Sequence, residues 1–162
     1  MENEIKTKKV SESEGETLRV IQYADINPSG NLFGGRLMEW MDEIAGVVAI
    51  RHAGVWVTTA AVDNLQFKKS VKIGDILVLR ARVTHVGTKS MEVRVDVYRE
   101  EPATGLRYVV NRAYFTEVTI DDQGKPIKVP YGLELENPSE EAEWQAAIKR
   151  REIRKERRQE GY

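Results

Sequence analysis

With 162 residues, 41% of them hydrophobic and 31% charged, and a formal net charge of −1, the chain has the size and balance of one water-soluble domain with no overall pull toward nucleic acid or anionic lipid. The absence of cysteine excludes a disulfide scaffold, a thiolate nucleophile, a CxxC redox pair and a cysteine zinc site, and fits a reducing cytoplasm. No stretch approaches the ~18 apolar residues of a membrane span, and the polar opening MENEIKTKKVSESEG lacks the apolar run of an export signal, so an unexported protein without membrane insertion is expected.

Residues 1–15 carry too little apolar surface to offset the entropy of ordering and are predicted to be a flexible tail. TLRVIQYADI (residues 17–26) then alternates as a strand does, until the turn signal NPSGN (27–31) ends it. From Asn31, read as an N-cap, the apolar residues Phe33, Leu37, Met38, Met41, Ile44, Ala45, Val48 and Ala49 recur at helical spacing up to a stop at Gly54. The stripe is wide, which suits a helix wrapped by other structure.

After Gly54 the period falls to two and the residues become β-branched, predicting strands over 55–67, 75–86, 90–100 and 106–120. Leu77, Leu79, Ala81 and Val83 share one face, with Val78, Arg80, Arg82 and Thr84 on the other. Met91, Val93, Val95 and Val97 answer them, opposite Glu92, Arg94, Asp96 and Tyr98, so one dry and one wet face are expected. The connections VGTK and EPATG are too short for a parallel crossover, which leaves antiparallel hairpins: an α+β body over residues 16–135, with a curved antiparallel sheet around one long helix.

Residues 136–162 read as a charged C-terminal helix. Asn137 caps it, Pro138 takes its first position, and Glu140 follows three residues after the cap. Seven of the ten residues from 149 to 158 are basic, the pattern of a solvated helix that frays at its end; docking on a neighbouring subunit through Trp144 and Ile148 is the alternative, and nucleic acid is not an expected partner.

The chemistry gathers on the first helix. A step of 100° per residue puts Asp42 only ~40° from Met38 and ~20° from Ala49, at the border of the apolar stripe, so partial burial is expected. A structural salt bridge and an acid or base role both fit a carboxylate there. Gly34 and Gly35 open the helix, where unpaired N–H groups and the helix dipole favour an oxygen gaining negative charge; tight packing explains glycines equally well. Gly35 and Asp42 lie seven residues, or ~10 Å, apart along the axis, so if the two serve one carbonyl the acid must come from a second copy of the helix in a two-fold dimer. The two histidines offer no metal spacing; His52 reads as a partner of the helix dipole and His85 as a sheet residue. No serine lies in GxSxG, and GNLFGG matches no nucleotide phosphate loop.

Four stretches, NPSGNLFGGRLMEWMDEIAGVVAIRHAG, TTAAVDNLQFKKSVKIGD, GTKSMEVRVDV and AYFTEVTIDDQGKPIKVP, resemble the hotdog-fold acyl-CoA thioesterases, especially the cytosolic acyl-CoA hydrolase branch. The resemblance runs from about residue 17 to residue 130. It implies a five-stranded antiparallel sheet around one helix, a homodimer with a continuous sheet, and further assembly as a hexamer built from three dimers. It also implies hydrolysis of fatty acyl-CoA to free fatty acid and coenzyme A between protomers, with Asn27 as the catalytic asparagine and Asp42, from the other subunit, as the catalytic aspartate. The amides of Gly34 and Gly35 would polarise the thioester carbonyl, Asn27 would hold water or carbonyl, and Asp42 would act as general base or nucleophile. Lys68, Lys69, Lys89 and Ser90 are the candidates for contact with the coenzyme A phosphates. Coenzyme A enters as part of the substrate, and no metal or separate cofactor is expected. The competing reading is an acyl-CoA sensor of the same fold that binds without cleaving. A dehydratase would want an acid–histidine pair that neither His52 nor His85 offers.

Overall fold

The computed structural model describes residues 5–162. In chain order the elements are β1 (Thr7–Lys9), β2 (Gly15–Val20), α1 (Gly34–Ala53), β3 (Val57–Asp63), β4 (Ile76–Val86), β5 (Ser90–Glu100), β6 (Arg107–Thr119), β7 (Gly132–Glu134) and α2 (Pro138–Glu160). Five strands form one antiparallel sheet in the order β2-β4-β5-β6-β3, and it curves around α1. The α+β architecture expected from the change of period is therefore observed.

The alternation does the folding work. Leu77, Leu79, Val83, Val93, Val95 and Val97 are fully buried, and the helix answers with Met41, Ala45, Val48 and Ala49, equally buried. Each such large side chain contributes about 1.5–3 kcal/mol of transfer free energy. Gly54 ends α1 in the left-handed conformation (φ +71°), its N–H bonded to the Ile50 carbonyl at 2.7 Å, which costs a glycine little. No helix among the described residues is long and apolar enough to cross a membrane.

Four expectations need correction. The tail expected over 1–15 is ordered from residue 5: β1 pairs in parallel with β7, and Val10 and Ser13 are buried beside it; residues 1–4 lie outside the described residues. Asn31 is not the cap of α1, which starts after Phe33 without a side-chain cap; the Asn31 carbonyl instead accepts from the Asn27 N–H, and its own N–H donates to the Asn27 side chain across the turn. His52 is fully buried, and burial lowers its pKa, so a neutral ring 3.2 Å from the Tyr131 carbonyl replaces the expected cationic dipole partner.

The outer face of the sheet supplies the fourth. It is not wet throughout, because α2 lies across it rather than standing in solvent. Trp144 stacks on His85 with centroids 4.1 Å apart, and Ala147 is buried. Asp96, fully buried, is ringed by Arg82, Arg94 and Arg112, and Glu143 of α2 bridges Arg82 and Arg94. Arg150 and Arg154, one helical turn apart, reach Glu92 and Asp63 on the sheet, and Arg150 also covers the Tyr114 ring at 3.6 Å. Part of the basic run is thus spent on sheet carboxylates.

Candidate active site

Asn27 sits in the turn before α1, and its side chain is fully oriented. Its Oδ1 accepts from the Ser29 N–H (3.1 Å), the Ser29 hydroxyl (2.7 Å) and the Asn31 N–H (3.1 Å), an Asx-type turn closed by Gly30 at φ +81°. With the oxygen saturated, only the Nδ2 group is left to face outward, and it can do nothing but donate. This restricts the residue to holding an oxygen.

The amides of Gly34 and Gly35, in the first turn of α1, have no acceptor among the described residues. A Cβ at Gly34 would lie 3.2 Å from the Phe67 ring, and one at Gly35 only 2.6 Å from the Phe33 ring. Neither ring belongs to the sheet, so tight helix–sheet packing is not what these glycines serve. The missing side chains let two aromatic rings, each more than half exposed, stand beside the two free donors.

Asp42 lies two turns further along α1 and is exposed in the single protomer, not partly buried as the helical wheel implies. The wheel locates the stripe but not where the sheet stops covering it: β3 is the edge strand, and Met38, one turn before Asp42, is 42% exposed beyond it. No cation pairs with Asp42 among the described residues, so the salt-bridge reading finds no partner. Its Oδ1 instead accepts from the Thr59 hydroxyl at 2.6 Å, leaving Oδ2 free.

Two residues that sequence reasoning passed over complete this group. Thr59 lies on β3 at a register shift between Thr59 and Ala61, and the bulge sets it directly opposite Glu117 of β6. Glu117 is fully buried, and its Oε1 and Oε2 lie 3.0 and 3.2 Å from Thr59 Oγ1. Burial pushes the Glu117 carboxyl up to about 7; the Thr59 hydrogen bond opposes the shift and the charge of Asp42 adds to it. A signal was present in the sequence, since alternation places Glu117 in the buried row with Ala113 and Phe115.

The four candidates for phosphate contact do not converge within one protomer. The Lys89 carbonyl bonds to Thr119, which pairs with Val57 at the start of β3, whereas Lys69 Nζ donates to the Val109 carbonyl (3.0 Å) toward the far end of β6. Ser90 goes with Lys89, at the first residue of β5, and Lys68 is exposed beside Lys69. No group of three or more His, Asp or Glu side chains among the described residues is placed to hold a metal ion. Within one protomer, then, donors stand at one end of α1 and a hydroxyl-anchored carboxylate stands halfway along it.

The profile of the thioesterase superfamily matches residues 29–106. An uncharacterised acyl-CoA thioester hydrolase of Bacillus subtilis is 42% identical over 65% of the chain, which spans 62% of that relative's length. Among solved structures, an acyl-CoA hydrolase of Staphylococcus aureus in complex with butyryl coenzyme A and coenzyme A is 40% identical, with a TM-score of 0.88 over 95% of this chain and 93% of that one. A hexameric acyl-CoA thioesterase is 37% identical, also with a TM-score of 0.88, over 94% and 97% of the two chains. The Staphylococcus hydrolase has also been solved as alanine mutants at an asparagine, an aspartate and a threonine whose spacing along the chain equals that of Asn27, Asp42 and Thr59.

Proposed function

The chain belongs to the acyl-CoA thioester hydrolases of the thioesterase superfamily, and we propose accordingly that it hydrolyses acyl-CoA to free acid and coenzyme A at a site shared by two protomers. The observation that carries the shared site is the separation on α1. The free amides of Gly34 and Gly35 and the anchored carboxylate of Asp42 lie ~10 Å apart along one rigid helix, too far for one carbonyl, and a two-fold related copy removes the separation. β3 supports that pairing. It is an edge strand whose Thr58, Thr59 and Ala60 are exposed and whose only charge is Asp63, a surface suited to continuing the sheet antiparallel into a second copy. The same two-fold brings Lys68 and Lys69 of one protomer toward Lys89 and Ser90 of its partner, where the phosphates of coenzyme A would lie. Three such dimers would form the hexamer.

In the reaction, the Gly34 and Gly35 amides and the Asn27 Nδ2 group donate to the thioester oxygen and stabilise the negative charge it gains in the transition state. Asp42 of the facing protomer removes a proton from water as the water oxygen attacks the carbonyl carbon. Collapse of the adduct breaks the C–S bond, and the proton held on Asp42 passes to the departing thiolate. Direct attack by Asp42 Oδ2, through an anhydride, would use the same groups. Anchoring of Oδ1 by Thr59 presents Oδ2 in either case.

A thiol-release assay over a ladder of acyl-CoA chain lengths, butyryl-CoA included, tests the reading. Release of free coenzyme A at rates well above spontaneous hydrolysis is the expected result. Saturable acyl-CoA binding with no release at any chain length would instead establish a sensor.

A further inference from the structure

Thr59 Oγ1 has three carboxyl oxygens within hydrogen-bond distance: Asp42 Oδ1 at 2.6 Å and Glu117 Oε1 and Oε2 at 3.0 and 3.2 Å. A hydroxyl carries one hydrogen. The shortest contact takes it, so Thr59 donates to Asp42, and its lone pairs then face Glu117. Two acceptors held that close, one of them on a fully buried carboxyl, repel unless a proton lies between them, and a protonated Glu117 supplies it. Glu117 has no cation and no other hydrogen-bond partner among the described residues, yet it is fully buried.

We propose that Glu117 is a positioning residue for the reaction: as a neutral carboxylic acid it donates to Thr59 Oγ1, commits the Thr59 hydrogen to Asp42 Oδ1, and so fixes the reactive carboxylate in place. The proposal rests on the reading of Asp42 as the reacting acid. The groups packed on Glu117 agree with a neutral carboxyl. Asp42 of α1 is the one charged group acting on it, β3 supplies Thr59, and β5 pairs it with the apolar Met91. The upward shift to about 7, caused first by burial, places the loss of this proton near neutral pH. Ionisation would leave one hydroxyl hydrogen between two carboxylates. Orientation of Asp42 is then lost, and kcat falls above neutral pH with KM little changed.

The test uses the full-length assembled protein and two variants, with kcat and KM measured from pH 6 to 9. Glu117→Ala removes the donor and is expected to lower kcat about tenfold or more at pH 6, with KM within about twofold, the signature of lost positioning rather than lost binding. Glu117→Gln keeps a neutral N–H donor that cannot ionise; it is expected to restore most of the rate lost in the alanine variant and to abolish the fall in kcat above pH ~7. An unchanged alkaline limb in Glu117→Gln, or an unchanged kcat in Glu117→Ala, overturns the proposal. The infrared carbonyl band of a protonated carboxyl, read as the difference between the wild type and Glu117→Gln, gives a readout independent of turnover. It should be present at pH 6 and fade through about pH 7, and its absence at pH 6 also overturns the proposal. A wild type that shows the band but releases no thiol refutes the hydrolase reading and leaves the protonation of Glu117 established.

Discussion

Asp42→Ala is expected to lower kcat for thioester hydrolysis by ~10²–10⁴, the usual cost of losing a positioned acid or base, while acyl-CoA still binds and the oligomer still forms. The effect should fall on kcat because the proposed role of Asp42 is on the attacking water or the carbonyl carbon, whereas the proposed contacts to coenzyme A are made by other residues. Stability should change little. Asp42 is exposed in the protomer, has no cation to abandon, and holds one hydrogen bond, to Thr59 at 2.6 Å. Asp42→Asn is the sharper variant, since it keeps the shape and an acceptor for Thr59 but cannot take up a proton. Turnover near the wild-type rate in Asp42→Asn, measured with coenzyme A release at saturating substrate, would remove the aspartate from the mechanism.

Asp96→Ala is expected to be the most damaging change to the fold itself, costing about 3–5 kcal/mol. Asp96 is fully buried on the outer face of the sheet with Arg82, Arg94 and Arg112 around it, and Glu143 closes the cluster from α2. Removing the acid leaves three guanidinium groups facing one another with a single carboxylate between them, and it frees the two arginines, Arg82 and Arg94, through which Glu143 of α2 is tied to the sheet. The Arg82 guanidinium, whose pKa is raised first by its hydrogen bond to Glu143 and further by Asp96, cannot escape the repulsion by losing its proton. Each kcal/mol corresponds to about 2–4 °C in Tm at this chain length, so the loss should be plain in a thermal melt at fixed protomer concentration. A melt within about 1 °C of wild type would show that the cluster contributes nothing net, as some buried ion pairs do.

What the sequence revealed and what it hid follow from how far each signal reaches. α1 and the strands β4, β5 and β6 were readable because period 3.6 and period 2 are properties of short windows, and Gly54 marks its own stop. β1 was not, because its partner β7 lies more than a hundred residues away and Thr7–Lys9 has no apolar pattern of its own. The docking of α2 was half visible. Arg150 and Arg154 stand at i, i+4, but the matching acids Glu92 and Asp63 acquire meaning only once β5 and β3 are placed on either side of β6 in the sheet.

The site divides in the same way. Asn27, Gly34, Gly35 and Asp42 carry local signals, a turn motif, a helix start and a carboxylate at the border of an apolar stripe. Thr59 carries none, since its direction is set by a bulge at Ala60 that no propensity announces. Glu117 lay in plain view in the alternation of β6, as a charged residue in the row of Ala113 and Phe115, where a buried ionisable group is a mark of function. The exposure of Asp42 is what helical periodicity could not supply, because it depends on the sheet ending at β3 and on what a second protomer would cover.

That second protomer is the centre of the proposed mechanism, and mixing two inactive variants tests it most directly. Asn27→Ala removes the donor end of the site and Asp42→Ala the acid end; after dissociation and reassociation, each hybrid dimer holds one site with both changes and one with neither. Random exchange of equal amounts makes about half of the dimers hybrid, so activity should return to about one quarter of the wild-type level. Hybrids proven by mass spectrometry but no more active than the two parents would contradict a site built between protomers.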